Sequence, residues 1–156
     1  MDDLNIIFVD DAEEKSRICD DIIHTLPDWF GLPEANENYI RNMRKKDVFV
    51  AYAGERPVGL IALKYHFQTT TEIWWMGILP DYHRHGIGTA LFEAAKQHTI
   101  GNKHQNMIVN TLSDRSDDKH YARTRAFYLR MGFEPLLEDN EEDPVNPMMW
   151  MIHPLP

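Results

Sequence analysis

The chain has 156 residues, 43% hydrophobic and 26% charged, as expected of one soluble globular domain with a full core. Sixteen lysines and arginines stand against 25 aspartates and glutamates, and the net charge of −9 excludes nonspecific nucleic-acid binding, which needs a basic face. No run approaches the roughly 20 apolar residues of a membrane span, and one cysteine, Cys19, cannot staple a fold, so a cytoplasmic protein without disulfides is expected.

The opening "MDDLNIIFVDD" is acidic and lacks the basic lead of a secretory signal. Its "LNIIFV" is rich in β-branched and aromatic types and reads as a strand. "DDAEEKSR" starts a helix, with Asp10 or Asp11 placed to cap it, Ile18, Ile22, Ile23 and Leu26 along one face, and Pro27 as its stop. "DWFGLPEA" is a turn and "EANENYIRNMRK" a second helix with weaker patterning. "DVFVAYAGERPVGLIALKYHF" is two strands joined at "GERP", and "TEIWWMGIL" is a third, nearly continuous apolar strand ended by Pro80. "GTALFEAAKQHTIG" follows as a helix, "NMIVNTL" as a strand and "SDRSDDK" as a polar loop. "HYARTRAFYLRMG" is a basic amphipathic helix closed by Gly132, and "FEPLLE" and "PMMWMIHPL" are strands either side of the acidic "EDNEEDP". The predicted order is β-α-α-β-β-β-α-β-α-β-β: a single mixed α/β domain over residues 1–156, antiparallel in its first half, with a strand–helix–strand crossover in its second.

The crossover carries "HRHGIGTAL" between a strand and a helix. The first amides of a helix are unpaired and carry partial positive charge, and glycine lets a phosphate come close to the backbone. Gly86 and Gly88 give that access, Thr89 adds a hydroxyl and Arg84 a cation. A P-loop is excluded because no lysine follows, and a dinucleotide fingerprint because Leu91 stands at the third glycine position.

"GILPDYHRHGIGTAL" resembles the acetyl-CoA signature of the GNAT N-acetyltransferase superfamily, a strand with V-x-P and then Q/R-x-x-G-x-G/A opening a helix. Ile78 falls on the valine, Pro80 on the proline, and Gly86 and Gly88 on the glycines, while His83 replaces the usual Gln or Arg. "RAFYLRMGFEPL" resembles the closing motif of the same family, with Tyr128, Gly132 and Phe133 at its named positions. Tyr121 and Thr124 stand where Asn and Ala are common. The resemblance covers residues 72–135 and implies a GNAT-type fold, a central mixed, mostly antiparallel sheet of about seven strands flanked by helices.

The implied activity is acetyl transfer from acetyl-CoA, with no metal, to a small-molecule or peptide amine by direct attack. CoA phosphates would rest on His83, Arg84, His85, Gly86, Ile87, Gly88 and Thr89, and the pantetheine arm along Met76–Ile78, where the Ile78 N–H would face the thioester oxygen. An ammonium of pKa about 10 must lose a proton before it attacks. Glu72, at the strand position where some GNAT enzymes carry a glutamate base, is the candidate, partly desolvated by Trp74 and Tyr65. The alternatives are a glutamate facing solvent at a strand edge, or a base role filled by water. Tyr128 is the candidate general acid to the departing thiolate, against a plain core tyrosine.

Trp29 and Phe30, in the loop that often borders the acceptor pocket in this superfamily, either line that pocket or plug the core beneath the helices. Arg123, Arg125 and Arg130 either meet CoA phosphates or solvate a helix face. His83 and His85, even with His66 or His120 beside them, lack a carboxylate or cysteine at metal-ligand spacing, and Cys19 reads as a small core residue. "MMWMI" offers homodimer pairing through an edge or swapped strand. The rival class is a non-catalytic acyl-CoA-binding or sensor module. The acidic balance leans towards a cationic acceptor.

Overall fold

A computed structural model of the chain describes residues 3–139, 142 and 146–156, so "EDNEEDP" lies largely outside the described residues. The elements follow the predicted order: β1 (Leu4–Val9), α1 (Ala12–Ile23), α2 (Pro33–Asn42), β2 (Asp47–Ala53), β3 (Arg56–His66), β4 (Thr70–Ile78), α3 (Ile87–Gly101), β5 (Asn106–Leu112), α4 (Lys119–Met131), β6 (Glu134–Asp139) and β7 (Met148–Pro154). The strands form one sheet in the order β1-β2-β3-β4-β5-β7-β6. The pairs β1–β2, β2–β3, β5–β7 and β6–β7 are antiparallel, and β4–β5 is parallel. A mixed, mostly antiparallel sheet with flanking helices is therefore the fold. One alternative is corrected: "MMWMI" lies in β7, hydrogen-bonded on both sides, so it is not an edge strand. The edges are β1 and β6.

Two compact units make up the chain, Met1–Lys64 with Trp74–His98 and Tyr65–Ile73 with Thr99–Pro156. In the first, Asp11 caps α1 by accepting the Glu14 N–H at 3.0 Å. The helix ends at Ile23 and not at Pro27, because the Thr25 and Leu26 amides turn back to the Ile22 and Ile23 carbonyls at 3.0 and 3.1 Å. Leu26 is buried all the same. Two side chains of α1 tie it to later backbone: Ser16 Oγ donates to the Ile40 carbonyl at 2.8 Å and Lys15 Nζ to the Lys46 carbonyl at 2.7 Å. Ile18, Ile22, Ile23, Val48, Leu60 and Leu91 are among the buried side chains that form this unit's core. Each contributes about 1.5–3 kcal/mol by leaving water.

Cys19 belongs to that core, and burial pushes its thiol up to about 12. The native thiol is expected to resist a disulfide reagent at pH 8 and to react once per chain after denaturation. A raised folded pKa also fixes the sign of the pH dependence. The contribution is full below the unfolded thiol pKa, about 8.5, and is lost as pH rises through about 12. Urea midpoints measured from pH 8 upward are expected to fall.

In the second unit Asp118 caps α4, accepting the His120 and Tyr121 amides at 2.9 and 3.1 Å. Gly132 ends the helix at φ 104°, where the Phe133 N–H returns to the Tyr128 carbonyl at 3.0 Å. That turn sets the Phe133 ring 5.5 Å from the ring of Tyr128. A methyl group at position 132 would meet the His153 ring at 3.0 Å in a backbone conformation that L-residues avoid. Gly132→Ala is expected to cost about 1–3 kcal/mol, read as a lower urea midpoint with an unchanged slope.

Candidate active site

The glycine turn is built from the end of β4 outward. The Leu79 N–H donates to the Val58 carbonyl at 2.9 Å, and a 3₁₀ turn over Pro80–Tyr82 then swings the chain away. His83 braces that turn twice: its N–H donates to the Pro80 carbonyl at 3.1 Å, and its Nε2 lies 2.7 Å from the Ile78 carbonyl. The amides open to a ligand therefore start at Arg84, one residue later than His83. Arg84 and Gly86 both adopt positive φ, 66° and 77°. Buried Ile87 then anchors the start of α3, and the Ala90 N–H makes the first bond back, to the Gly86 carbonyl at 3.1 Å. Among the described residues the N–H groups of 84–89 have no protein acceptor. A Cβ built on Gly86 would meet nothing within 4 Å. Arg84, His85, Gly86 and Thr89 are exposed. This run of free amides at a helix head suits an anion such as a pyrophosphate.

The neighbouring aromatic residues divide. Trp29 stands edge-on to His83 at 5.7 Å between ring centres, against the glycine turn. Phe30 packs on Trp75 at 5.3 Å and on Tyr39 at 6.2 Å, the position of a core plug. Met76 and Ile78 are half-buried and share one face of β4, two residues apart.

In the second unit, the parallel ladder between β4 and β5 runs from Thr70↔Asn106 to Ile73↔Val109 and ends there. Glu72 lies within it and is not a solvent-facing carboxylate, since its side chain is 12% exposed. Its Oε1 is 2.6 Å from His66 Nε2, across the β3–β4 hairpin. In the sequence His66 stands out only as a conceivable metal ligand. Six positions of separation across a short turn between strands is the available signal, but only the hairpin's geometry makes the two side chains meet.

Tyr128 is buried between Phe127 and Phe133, both at 5.5 Å. Burial, with a smaller contribution from Tyr121, pushes its phenol well above the usual tyrosine range. The hydroxyl is thus held protonated at neutral pH, as a proton donor requires. Thr124 turns its hydroxyl back to the His120 carbonyl at 3.2 Å. Arg125 takes neither role expected for it, because its Nη1 clamps the Leu112 and Ser113 carbonyls at 2.7 and 3.0 Å. Among the described residues no group of three His, Cys, Asp or Glu side chains is arranged to hold a metal ion. Nor is any helix among them long and apolar enough to cross a membrane.

Known proteins carry the same architecture. A Bacillus pumilus protein named an uncharacterized N-acetyltransferase is 29% identical over 130 residues, 76% of this chain and 73% of the relative. A GNAT family acetyltransferase from Elizabethkingia anophelis, solved with acetyl-CoA bound, superposes with a TM-score of 0.74 at 15% identity, over 99% of this chain and 100% of that one. The PaiA N-acetyltransferase from Thermoplasma acidophilum, in complex with coenzyme A, gives 0.76 at 14% identity, over 98% and 99% of the two chains. The family model of the acetyltransferase (GNAT) domain matches residues 44–135, which hold the open amides, Glu72 and Tyr128. The chain belongs to the GNAT acetyltransferase family and is an acyltransferase.

Proposed function

We propose that the chain acts as one catalytic domain, in the cytoplasm, that moves an acetyl group from acetyl-CoA to a primary amine within a ternary complex. The observation that carries this is the run of unpartnered amides from Arg84 to Thr89 beneath an open Gly86, which fits the CoA pyrophosphate. In this reading the pantetheine arm pairs with Met76–Ile78, and the Ile78 N–H donates to the thioester oxygen as charge develops there. The ammonium gives up a proton to the Glu72 end of β4, directly or through an intermediary. The amine nitrogen then attacks the thioester carbon, the C–S bond breaks, Tyr128 protonates the thiolate, and the second proton the nitrogen loses on becoming an amide restores the Tyr128 phenol.

The net charge of −9 favours a cationic acceptor, and Trp29 beside the turn is the candidate wall for it. Thiol release from acetyl-CoA, measured against polyamines, amino acids, aminoglycosides and peptides, tests the reading. Turnover on one amine class supports it. Thermal protection by CoA without turnover on any amine would instead favour the acyl-CoA-binding module.

A further inference from the structure

We infer that His66 Nδ1, not the Glu72 carboxylate, takes the proton from the acceptor ammonium, and that Glu72 positions the ring; this rests on the acetyl-transfer reading above. In this assignment Glu72 is the acceptor of the hydrogen bond. An ionised carboxylate has no proton to give, so the 2.6 Å contact is Nε2–H donating to Glu72 Oε1. In the neutral ring the basic lone pair is then on Nδ1. That atom has no protein partner among the described residues.

Exposure separates the two roles. The His66 side chain is 35% exposed and Glu72 12%, so the ring is the group an ammonium can approach. The carboxylate is covered, and one of its oxygens is already committed to the ring. His66 also ends β3, beside the turn whose Phe67 is 95% exposed, so a proton it collects can pass on to water.

Adjacent strand residues face opposite ways, which puts Tyr65 and Thr71 on the other side of the hairpin. There Thr71 Oγ1 contacts His104 Nδ1 at 2.8 Å, and the Tyr65 ring stands on His104 at 5.4 Å. Glu72 is thus the ionisable group in contact with His66 among the described residues.

The step balances. An N–H bond of the ammonium breaks, its proton goes to Nδ1, and the electron pair left on nitrogen forms the new C–N bond as the C–S bond breaks onto sulfur. The second proton nitrogen then loses replaces the one Tyr128 gives the thiolate. The imidazolium is held by a charge-assisted bond to Glu72 until Nδ1 loses its proton to water. A merely structural role, in which His66 only satisfies a buried carboxylate, predicts neither a pH limb nor chemical rescue.

The test is kcat/KM against pH for the wild type, His66→Gln, His66→Ala with and without imidazole, and Glu72→Gln. Calorimetric CoA affinity is measured alongside. We expect His66→Gln to lower kcat by about 100-fold or more, to keep CoA affinity, and to lose the acid limb of the wild-type profile. Imidazole should restore part of the rate of His66→Ala. Glu72→Gln should keep the limb but lower kcat, because the ring loses the carboxylate that holds it in place.

A limb that persists in His66→Gln and vanishes in Glu72→Gln would overturn the assignment, as would a loss below about fivefold in His66→Gln. Should the variants fail to fold, the ¹⁵N shifts of His66 in the wild type decide, since an Nδ1–H tautomer would also overturn it. Absence of turnover by a wild type that binds CoA would sink the acetyl-transfer reading instead, and is distinguishable from either result.

Discussion

Tyr128→Phe is expected to lower kcat by about 100-fold or more while leaving CoA affinity and stability near those of the wild type. The substitution removes one oxygen and keeps the ring that packs at 5.5 Å against Phe127 and Phe133. Only chemistry needing the hydroxyl should suffer. The raised phenol pKa makes a second expectation. A free tyrosine ionises near pH 10, but Tyr128 stays protonated beyond that point, so it should impose no fall in wild-type rate up to about pH 9. The same shift gives stability that is full below about pH 10 and is lost as pH rises through the higher folded value. Steady-state rates and urea midpoints on the same preparations separate the two effects. A variant that keeps its rate within about threefold would remove the hydroxyl from the mechanism.

Gly86→Val is expected to weaken CoA binding by about 10- to 100-fold and to lower thermal stability by the strain of its backbone. At φ 77° a β-branched residue is strained by about 1–3 kcal/mol, and the turn must rearrange to relieve it. Space inside the free protein is not the obstacle, because a Cβ there meets nothing within 4 Å. Gly86→Ala meets no clash but carries the same kind of backbone strain, so it should fold with a somewhat lower urea midpoint and show its further deficit when CoA is added. Titration calorimetry with CoA checks both variants. Affinity unchanged in Gly86→Val would mean that the phosphates are held elsewhere.

Much of the fold is readable from local chemistry. Asp11, one of the two aspartates that read as a cap, and Gly132 mark helix ends by capping physics that acts within four residues, whereas Asp118 reads only as part of a polar loop. Each structural element lies close to its predicted span. The glycine turn is legible for the same reason: its two glycines, Thr89 and the following helix are contiguous. What needs the structure is contact between residues whose meeting depends on strand register. The His66–Glu72 pair is set by the β3–β4 hairpin, and a shift of one residue would turn Glu72 to the opposite face. The clamp of Arg125 on the Leu112 and Ser113 carbonyls joins a helix to the loop before it. A helical arginine on a basic face gives no sign of such a partner. Nor does an apolar strand near the end of the sequence reveal which strands it will separate, and so "MMWMI" reads as an edge or a swapped strand.

That last strand has a consequence for how the molecule is made. On the ribosome β5, complete at Leu112, must wait for Met148–Pro154 before its second ladder can form, and β6 waits for the same segment. The pairing from Asn106↔Pro154 to Leu112↔Met148 is non-local, so its loop-closure cost makes it an expected late step of folding. His153, which arrives with β7, lies against the Phe133 ring at 5.5 Å and against Gly132 at the cap of α4. The backing of the Tyr128 helix is thus completed only by a segment that follows it in the sequence. A nascent chain without it lacks the His153 ring behind Phe133, the residue that packs on Tyr128.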